Sequence, residues 1–203
     1  QIGGDAPVAV QSMCATDTSN VDATVAQLDQ LKEAGCDVVR IAVPDREAAD
    51  ALPEIVRRAP LPIIADIHFN ASLALRAIDA GVAAVRINPG NIGARERIRE
   101  VVRAARERMV PIRIGVNAGS LEQDIVERHG WPTAEGMVES AERHIRILED
   151  EGYREIKVSL KAHDVAMTVQ ANRLFASRFD YPLHLGVTEA GTLLGGAVKR
   201  AAG

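Results

Sequence analysis

Aromatic side chains are scarce in this chain of 203 residues. Phenylalanine, tryptophan and tyrosine make up 3% of the sequence, whereas 47% of it is hydrophobic, so the core must be built from aliphatic residues. Proteins that bind RNA or single-stranded DNA stack bases on aromatic rings, and the composition therefore argues against that function. No long basic run occurs and the formal net charge is -4, which argues against general binding to nucleic acid or to anionic membranes.

Cysteine is equally rare. The two cysteines, Cys14 and Cys36, lie far apart and form no C-x-x-C pair, so the sequence predicts neither a disulfide framework nor a self-contained zinc site. Free thiols are typical of a reducing compartment, and we predict a cytoplasmic protein. No apolar run is long enough to cross a bilayer, and residues 1–4 do not resemble a signal peptide. Because the chain does not begin with Met, we expect it to be processed or truncated.

Strand and helix patterns alternate along the chain, whose length fits one large α/β domain at residues 1–203. Strict alternation predicts a parallel sheet. Pro53 is expected to break or kink the helix that Asp45 caps. The predicted strands cover residues 8–13, 38–43, 62–67, 84–88, 112–117, 155–160 and 183–188. The predicted helices cover residues 22–34, 73–80, 94–108, 133–151 and 163–178, with further helices after residues 45 and 191.

Seven strand–helix units are one fewer than the eight that close a TIM barrel. We therefore predict a parallel α/β barrel of the TIM type that is incomplete in this chain, with the eighth strand missing. A doubly wound open sheet is the alternative architecture. That alternative has less support, because no G-x-G-x-x-G motif follows the first strand.

Basic residues interrupt four of the predicted strands. Parallel strands that are buried on both faces normally read as continuous apolar runs. Here Arg40, Arg86, Arg113 and Lys157 each stand between two aliphatic residues. The aliphatic set is therefore predicted to face the helices and the basic set to face the barrel interior. The same two-residue period places further polar residues in the interior: Asp66, His68, Asn88, Asn117, Ser159 and Lys161.

Clustered cations inside a barrel require a counter-ion. Burying an unpaired cation costs several kcal/mol, and two cations about 6 Å apart repel by roughly 3 kcal/mol at an effective dielectric constant near 20. The pattern therefore predicts a site for a multiply charged oxyanion, with phosphate the best match, at the carboxyl ends of the strands. The glycine-bearing stretch at residues 86–93 is expected to add backbone N–H groups from a helix N-terminus. Alternatively, each arginine lies at the rim and extends to solvent or to a neighbouring carboxylate.

Three further residues are candidates for proton transfer or hydrogen bonding beside this site. Asp66 and His68 share one strand face, which suits either role. Glu189 follows the predicted seventh strand and precedes a helix, where it can act as an acid or a hydrogen-bond acceptor, although the helix dipole also favours a carboxylate there. His184 lies on the same predicted strand, at a position compatible with the core.

Five stretches, at residues 11–13, 65–69, 86–93, 113–120 and 184–191, closely resemble the 4-hydroxy-3-methylbut-2-enyl diphosphate synthase family of the non-mevalonate isoprenoid pathway. The resemblance covers essentially the whole chain in order. It implies a TIM barrel within an oxidoreductase that reduces 2-C-methyl-D-erythritol 2,4-cyclodiphosphate, opening its ring and removing a hydroxyl. It also implies a 4Fe-4S cluster, a ferredoxin or flavodoxin as electron donor, and a homodimer in which each barrel meets the cluster domain of its partner.

The same resemblance assigns roles to individual residues. It implies that Glu189 and His68 face the reacting hydroxyls, with Asp66 in support. It also implies a set of diphosphate ligands: Arg40, Arg86, Asn88, Arg113, Asn117 and Lys161. The family continues beyond the equivalent of Gly203 with an eighth strand and a separate domain that holds the cluster, so this chain alone is expected to bind no metal and to be inactive. Two other functions remain open, a cluster-free diphosphate-binding barrel and a transferase of the dihydropteroate synthase type.

Overall fold

The structure is a computed structural model that describes residues 2–68, 70–88, 94–188 and 190–202, without the side chains of Leu193 and Arg200. Two predictions therefore fall wholly or partly outside the described residues. They are the role of Glu189 and the loop at residues 86–93, of which residues 89–93 lie outside. Among the helices that are described, none combines the length and the apolar character needed to cross a membrane.

Parallel strands form a single sheet in strict chain order. Within the described residues these strands are β1 (Gln11–Met13), β2 (Val38–Ala42), β3 (Ile63–Asp66), β4 (Ala84–Ile87), β5 (Ile112–Asn117) and β6 (Ile156–Lys161). A doubly wound sheet would reverse its strand order at a switch point, whereas the strands of a TIM barrel follow one another in sequence. The observed order confirms the predicted incomplete barrel and rules out the doubly wound alternative.

The predicted seventh strand is wrong as a regular strand. Residues 183–188 run beside β6, but the only ladder contact that the described part of the chain shows there is an isolated parallel bridge between Val158 and Leu183. Backbone hydrogen bonds still tether the segment, from His184 N to Val158 O at 2.7 Å and from Thr188 N to Ala162 O at 3.1 Å. Gly186 offers no side chain to pack, and a strand paired on one edge only is weakly held.

Helices follow the strands, and most of them begin at a side-chain cap. The described helices are α1 (Val21–Glu33), α2 (Arg46–Arg58), α3 (Ala71–Asp79), α4 (Arg95–Arg108), α5 (Gln123–His129), α6 (Ala134–Asp150), α7 (Val165–Ala176) and α8 (Leu193–Ala202). The predicted break in α2 does not occur, since the helix continues across Pro53. Its cap Asp45 and its fully buried Leu52 and Ile55 offset the backbone hydrogen bond that proline removes. The sequence analysis did not predict α5.

The strands divide their two faces as their residue pattern predicts. Ile41, Val85, Ile114 and Val158 are fully buried and belong to the aliphatic core between sheet and helices. On the opposite face, Val38, Ile64 and Ala84 form a separate small cluster. These three residues lie at the amino-terminal ends of their strands, so the interior is apolar at its base. Polar side chains occupy the interior above this base.

Candidate anion-binding site

A row of charged residues crosses four neighbouring strands at one level. Asp66 pairs in register with Arg86, Arg86 with Arg113, and Arg113 with Lys157. Residues in register on adjacent parallel strands point to the same face and are separated by about 4.8 Å. The sheet therefore places three cations side by side in the barrel interior, with a carboxylate at one end of the row. We call Asp66, Arg86, Arg113 and Lys157 the charged row.

Asp66 is the shared counter-ion of two arginines. Its side chain is 4% exposed, and its Oδ1 accepts a hydrogen bond from Arg86 Nη1 at 3.0 Å. Its Oδ2 lies 3.3 Å from Nε of Arg40, and its Oδ1 lies 3.5 Å from Nε2 of His68. A buried carboxylate between two guanidinium groups is held by charge-assisted hydrogen bonds, which are roughly twice as strong as neutral ones. Asp66 therefore fixes the positions of Arg40 and Arg86.

Arg86 also depends on a glycine of the next strand. Its Nη2 donates to the carbonyl oxygen of Gly115 at 3.4 Å. A Cβ atom at position 115 would lie 2.4 Å from Arg86 Nε, which is closer than real side chains allow. The Nη1 group of Arg86 lies 3.0 Å from His68 Nε2 as well. The absence of a side chain at Gly115 thus leaves room for a guanidinium that contacts both Asp66 and His68.

Arg113 is a buried cation without a counter-ion among the described residues. It is 1% exposed, and its Nε and Nη1 have no hydrogen-bond partner in the described part of the chain. Burial lowers its pKa to about 9, with Arg40 and Arg86 acting in the same direction and Asp66 opposing them. Buried guanidinium groups are normally paired, because their desolvation otherwise costs several kcal/mol. The N–H groups of Arg113 are therefore available to an anion that enters the barrel.

Beyond Arg113, the cluster continues along a cavity of about 690 Å³. Arg40, Lys157, Lys161 and His184 contribute to its lining. Burial and Arg113 lower the pKa of Lys157 to about 8. Burial first, and then the charges of Arg113, Lys161, Lys157 and Arg40, lower the pKa of His184 to about 2, so this imidazole is neutral at physiological pH. The titratable side chains among the described residues that line this cavity are therefore three cations and one neutral imidazole, and most of the remaining lining is apolar.

Positive charge exceeds negative charge among the described residues of this cluster. Arg40 and Arg86 share Asp66, whereas Arg113 and Lys157 have no carboxylate within ion-pair distance among the described residues. Two such cations about 6 Å apart repel by roughly 3 kcal/mol at an effective dielectric constant near 20. The arrangement is therefore suited to a ligand that carries at least two negative charges.

The remaining predicted residues lie at the carboxyl ends of the strands. Asn117 pairs in register with Lys161, and both are half-buried. Oδ1 of Asn88 is buried without a hydrogen-bond partner in the described part of the chain. The side chain of His68 is 55% exposed, and burial of the rest of it lowers its pKa, an effect that Asp66 opposes and Arg86 reinforces. Ser159, deeper in the barrel, donates to the carbonyl of Ile114 at 3.4 Å.

Sequence reasoning missed the place of His184 in this cluster. Leu183 and Leu185 flank it, as aliphatic residues flank each interior arginine, and this parity was the signal that would have placed it inside. Met13 was not expected at the site either, and its Sδ lies 2.9 Å from Nη2 of Arg40. Met13 and Arg40 are in register on β1 and β2, a pairing that neither residue indicates alone.

The described residues do not fit an iron–sulfur cluster. They contain no group of three or more His, Cys, Asp or Glu side chains arranged to hold a metal ion. Cys14 is buried, and burial raises the pKa of its thiol, which disfavours the thiolate that such clusters require. Cys36 is half-buried and packs against the aliphatic core.

Solved structures with a similar fold share little sequence with this chain. A dihydropteroate synthase from Yersinia pestis is 14% identical with a TM-score of 0.61, over 88% of this chain and 69% of that one. A tryptophan synthase from M. tuberculosis is 16% identical with a TM-score of 0.56, over 88% and 72% of the two chains. At these identities the likeness shows the barrel fold alone.

Relatives with much higher identity carry the name 4-hydroxy-3-methylbut-2-en-1-yl diphosphate synthase (flavodoxin). The protein from Geobacter sulfurreducens is 59% identical over 202 residues, and the protein from Geobacillus thermodenitrificans is 60% identical over 202 residues. All of this chain is covered, but only 57% and 54% of those relatives, so the chain spans just over half of their length. The family described as the GcpE TIM-barrel domain matches residues 1–203, and the chain belongs to that family.

Proposed function

We propose that this chain is the substrate-binding barrel of a 4-hydroxy-3-methylbut-2-en-1-yl diphosphate synthase, and that its cations hold the diphosphate of 2-C-methyl-D-erythritol 2,4-cyclodiphosphate. The observation that carries the proposal is Arg113, which is fully buried with two unpartnered N–H groups in the described part of the chain and lies in register between Arg86 and Lys157. The names of the relatives support this choice of diphosphate ester.

The proposed ligands divide into charged and amide groups. Arg40, Arg86, Arg113 and Lys161 supply positive charge from four strands. Asn88 and Asn117 supply amide N–H groups at the strand ends. Each hydrogen bond between a charged donor and a phosphate oxygen contributes about 1.5 to 3 kcal/mol. An anion bound among these groups would also relieve the repulsion between Arg113 and its neighbours.

The reaction proposed for the intact protein is a two-electron reduction. The carbon–oxygen bond that closes the substrate ring breaks, a hydroxyl group leaves as water, and the diphosphate remains attached to the product. Flavodoxin, or ferredoxin, is the proposed electron donor, and the relatives' names specify flavodoxin. A 4Fe-4S cluster supplies electron transfer in the family, and we assign its ligands to sequence outside this chain. A homodimer that brings such a cluster to the barrel belongs to the same proposal.

Asp66 and His68 are proposed to face the reacting hydroxyls. His68 lies at the barrel mouth, where its ring contacts Arg86 and Asp66. Its lowered pKa keeps the imidazole largely neutral at pH 7, so one ring nitrogen can accept a hydrogen bond from a substrate hydroxyl and the other can donate one. Glu189 remains a predicted acid facing the reacting hydroxyls, and it lies outside the described residues.

Two other functions are distinguishable from this one. A cluster-free binding module would hold the same diphosphate but would never turn it over. A transferase of the dihydropteroate synthase type would instead bind a pterin diphosphate, and the likeness to such enzymes, at 14% to 17% identity, is one of fold alone. The ligand preference of the intact protein distinguishes the transferase from the synthase. Turnover with reduced flavodoxin distinguishes the binding module from the synthase.

Calorimetric titration of the intact protein tests the proposal. We expect the cyclodiphosphate to bind and a pterin diphosphate to bind far more weakly. Arg113→Met should weaken the binding of the cyclodiphosphate at least tenfold, as the loss of a charged hydrogen bond predicts. The matched control is Arg103→Met, because Arg103 is exposed on α4 and pairs only loosely with Glu107 at 3.8 Å. Equal affinities of both variants, or a preference for the pterin compound, would contradict the proposal.

A further inference from the structure

We propose that Lys157 is an inner ligand of the diphosphate and that it takes up a proton when the diphosphate binds. This inference rests on the proposed function and goes beyond it, because neither the family resemblance nor the relatives' names give Lys157 a role. It would make the affinity of the site depend on pH through one identified amine.

The position of Lys157 in the barrel interior supports this proposal. It lies directly beside Arg113, its register partner on β5, and it is 9% exposed. It lines the cavity that Arg40, Lys161 and His184 also line. No carboxylate lies within ion-pair distance of it among the described residues. An anion held by Arg113 would therefore be within reach of the Lys157 ammonium group.

The cations around Lys157 differ from it in how readily they release a proton. A guanidinium keeps its proton near neutral pH, whereas an amine releases its proton readily when it is buried beside other cations. Within the charged row, Lys157 is therefore the cation that most readily gives up its proton to relieve the repulsion. Burial and Arg113 lower its pKa to about 8. His184 faces the same cavity as a neutral imidazole, so it adds no charge and can accept a hydrogen bond from a neighbouring cation.

Charged groups also face Lys157 from the opposite side, but those that the structure describes form no ion pair with its amine. Lys157 also lines a second cavity of about 1020 Å³ at the amino-terminal ends of the strands. The charged residues that line it with Lys157 are Asp37, Glu149, Arg154, Glu155, Arg178 and Asp180. Asp37 accepts a hydrogen bond from Val10 N at 2.8 Å, and Glu149 accepts one from the Tyr181 hydroxyl at 2.6 Å. None of the carboxylates pairs with Lys157 in the described part of the chain.

Thermodynamic linkage gives the sign of the effect. An anion stabilises the charged form of Lys157, so the pKa of this amine is higher in the complex than in the free protein. Above about pH 8, where the free amine is mostly neutral, binding must then be accompanied by proton uptake. A cyclic diphosphate carries one strongly acidic oxygen on each phosphorus and does not titrate near this pH. The protons taken up therefore go to the protein.

Calorimetry in two buffers of different ionisation enthalpy counts these protons. With the cyclodiphosphate at about pH 8.5, we expect the intact protein to take up between about 0.5 and 0.8 proton per ligand, and almost none at about pH 6.5. Lys157→Met should bind more weakly at the lower pH, and at about pH 8.5 it should take up much less proton than the wild type, the small remainder belonging to Arg113, whose pKa is about 9. Lys157→Arg keeps a permanent charge at this position, so it should retain binding and show the same reduced proton uptake as Lys157→Met. Lys32→Met, an exposed change on α1, is the matched control.

The outcomes separate the two proposals. Proton uptake that is as large in Lys157→Met as in the wild type belongs to another group, such as Arg113, and would overturn this inference while leaving the proposed function intact. The same holds if the wild type binds the cyclodiphosphate without proton uptake, a measurement that needs no variant to fold. If the cyclodiphosphate does not bind at all, both proposals fail. Circular dichroism of each variant confirms that it is folded.

Discussion

The hydrogen atom that serves as the side chain of Gly115 is what allows Arg86 to reach Asp66. A Cβ atom at this position would lie 2.4 Å from Arg86 Nε and 2.7 Å from its Nη2. The first atom of a larger side chain would thus occupy the space of the guanidinium. Because Arg86 Nη1 also contacts His68, a displaced Arg86 would disturb both the carboxylate and the imidazole at the barrel mouth.

Gly115→Ala is therefore expected to weaken binding of the cyclodiphosphate at least tenfold and to lower the free energy of unfolding by about 1 to 3 kcal/mol. Gly196→Ala is the control. Position 196 lies in α8. A Cβ atom added there would lie 3.5 Å from Ala190 Cβ, which is an ordinary van der Waals contact. Replacing this helical glycine should raise stability by up to about 1 kcal/mol and leave binding unchanged. Calorimetry and urea unfolding measure the two effects, and unchanged binding in Gly115→Ala would show that Arg86 can move without loss.

The barrel and the sign of its interior charge were predictable from the sequence, because both follow from local patterns. The two-residue alternation around Arg40, Arg86 and Arg113 places each side chain on one face regardless of the rest of the fold. Strand β5 matches its predicted residues 112–117 at both ends. The predicted strand at residues 183–188 failed for a non-local reason, since its pairing with β6 in the described residues is limited to one isolated bridge at Leu183, which its own alternation does not reveal.

The contacts that organise the site were not predictable, because they depend on register between strands. The sequence places Asp66 and Arg86 on neighbouring strands, but only the observed pairing brings them into register. The same is true of Gly115, whose importance comes from an arginine on another strand. Helix α5 was missed because it has only seven residues, which is too short for a clear amphipathic pattern.

The carboxylate of Glu122, which is not among the proposed ligands, indicates a specific sensitivity of the fold to acid. Glu122 Oε1 lies 3.1 Å from Nε2 of the buried His144. Burial favours the neutral acid, but hydrogen bonds with His144 and Ser140 outweigh burial and lower the pKa of Glu122 to about 2. A carboxylate with a lowered pKa stabilises the fold above its ordinary pKa near 4.5, and this contribution is lost as the pH falls toward 2.

Glu122→Gln should therefore cost about 1 to 2 kcal/mol of unfolding free energy near pH 7, after allowance for the partial exposure of Glu122. The difference between the wild type and this variant should shrink steadily below about pH 4.5. Urea midpoints measured between about pH 6 and about pH 3 give this difference directly. Glu107→Gln, an exposed change on α4, should leave the midpoints nearly unchanged. A difference that stays constant with pH would mean that Glu122 is not held by its charge.

Replacing Arg113 is expected to have opposite effects on the stability of the ligand-free and the ligand-bound protein. Its buried guanidinium has two N–H groups without a partner in the described residues and lies beside two other cations, so Arg113→Met should raise the unfolding free energy of the ligand-free protein by about 1 to 3 kcal/mol. The cyclodiphosphate at a hundredfold excess over its Kd should stabilise the wild type by about 2.7 kcal/mol, and the variant much less. Thermal unfolding with and without ligand measures both effects, with Arg103→Met as the control that changes neither by more than about 0.5 kcal/mol. A ligand-free variant less stable than the wild type would mean that Arg113 already has a counter-ion within the protein, and the reason for placing an anion beside it would be gone.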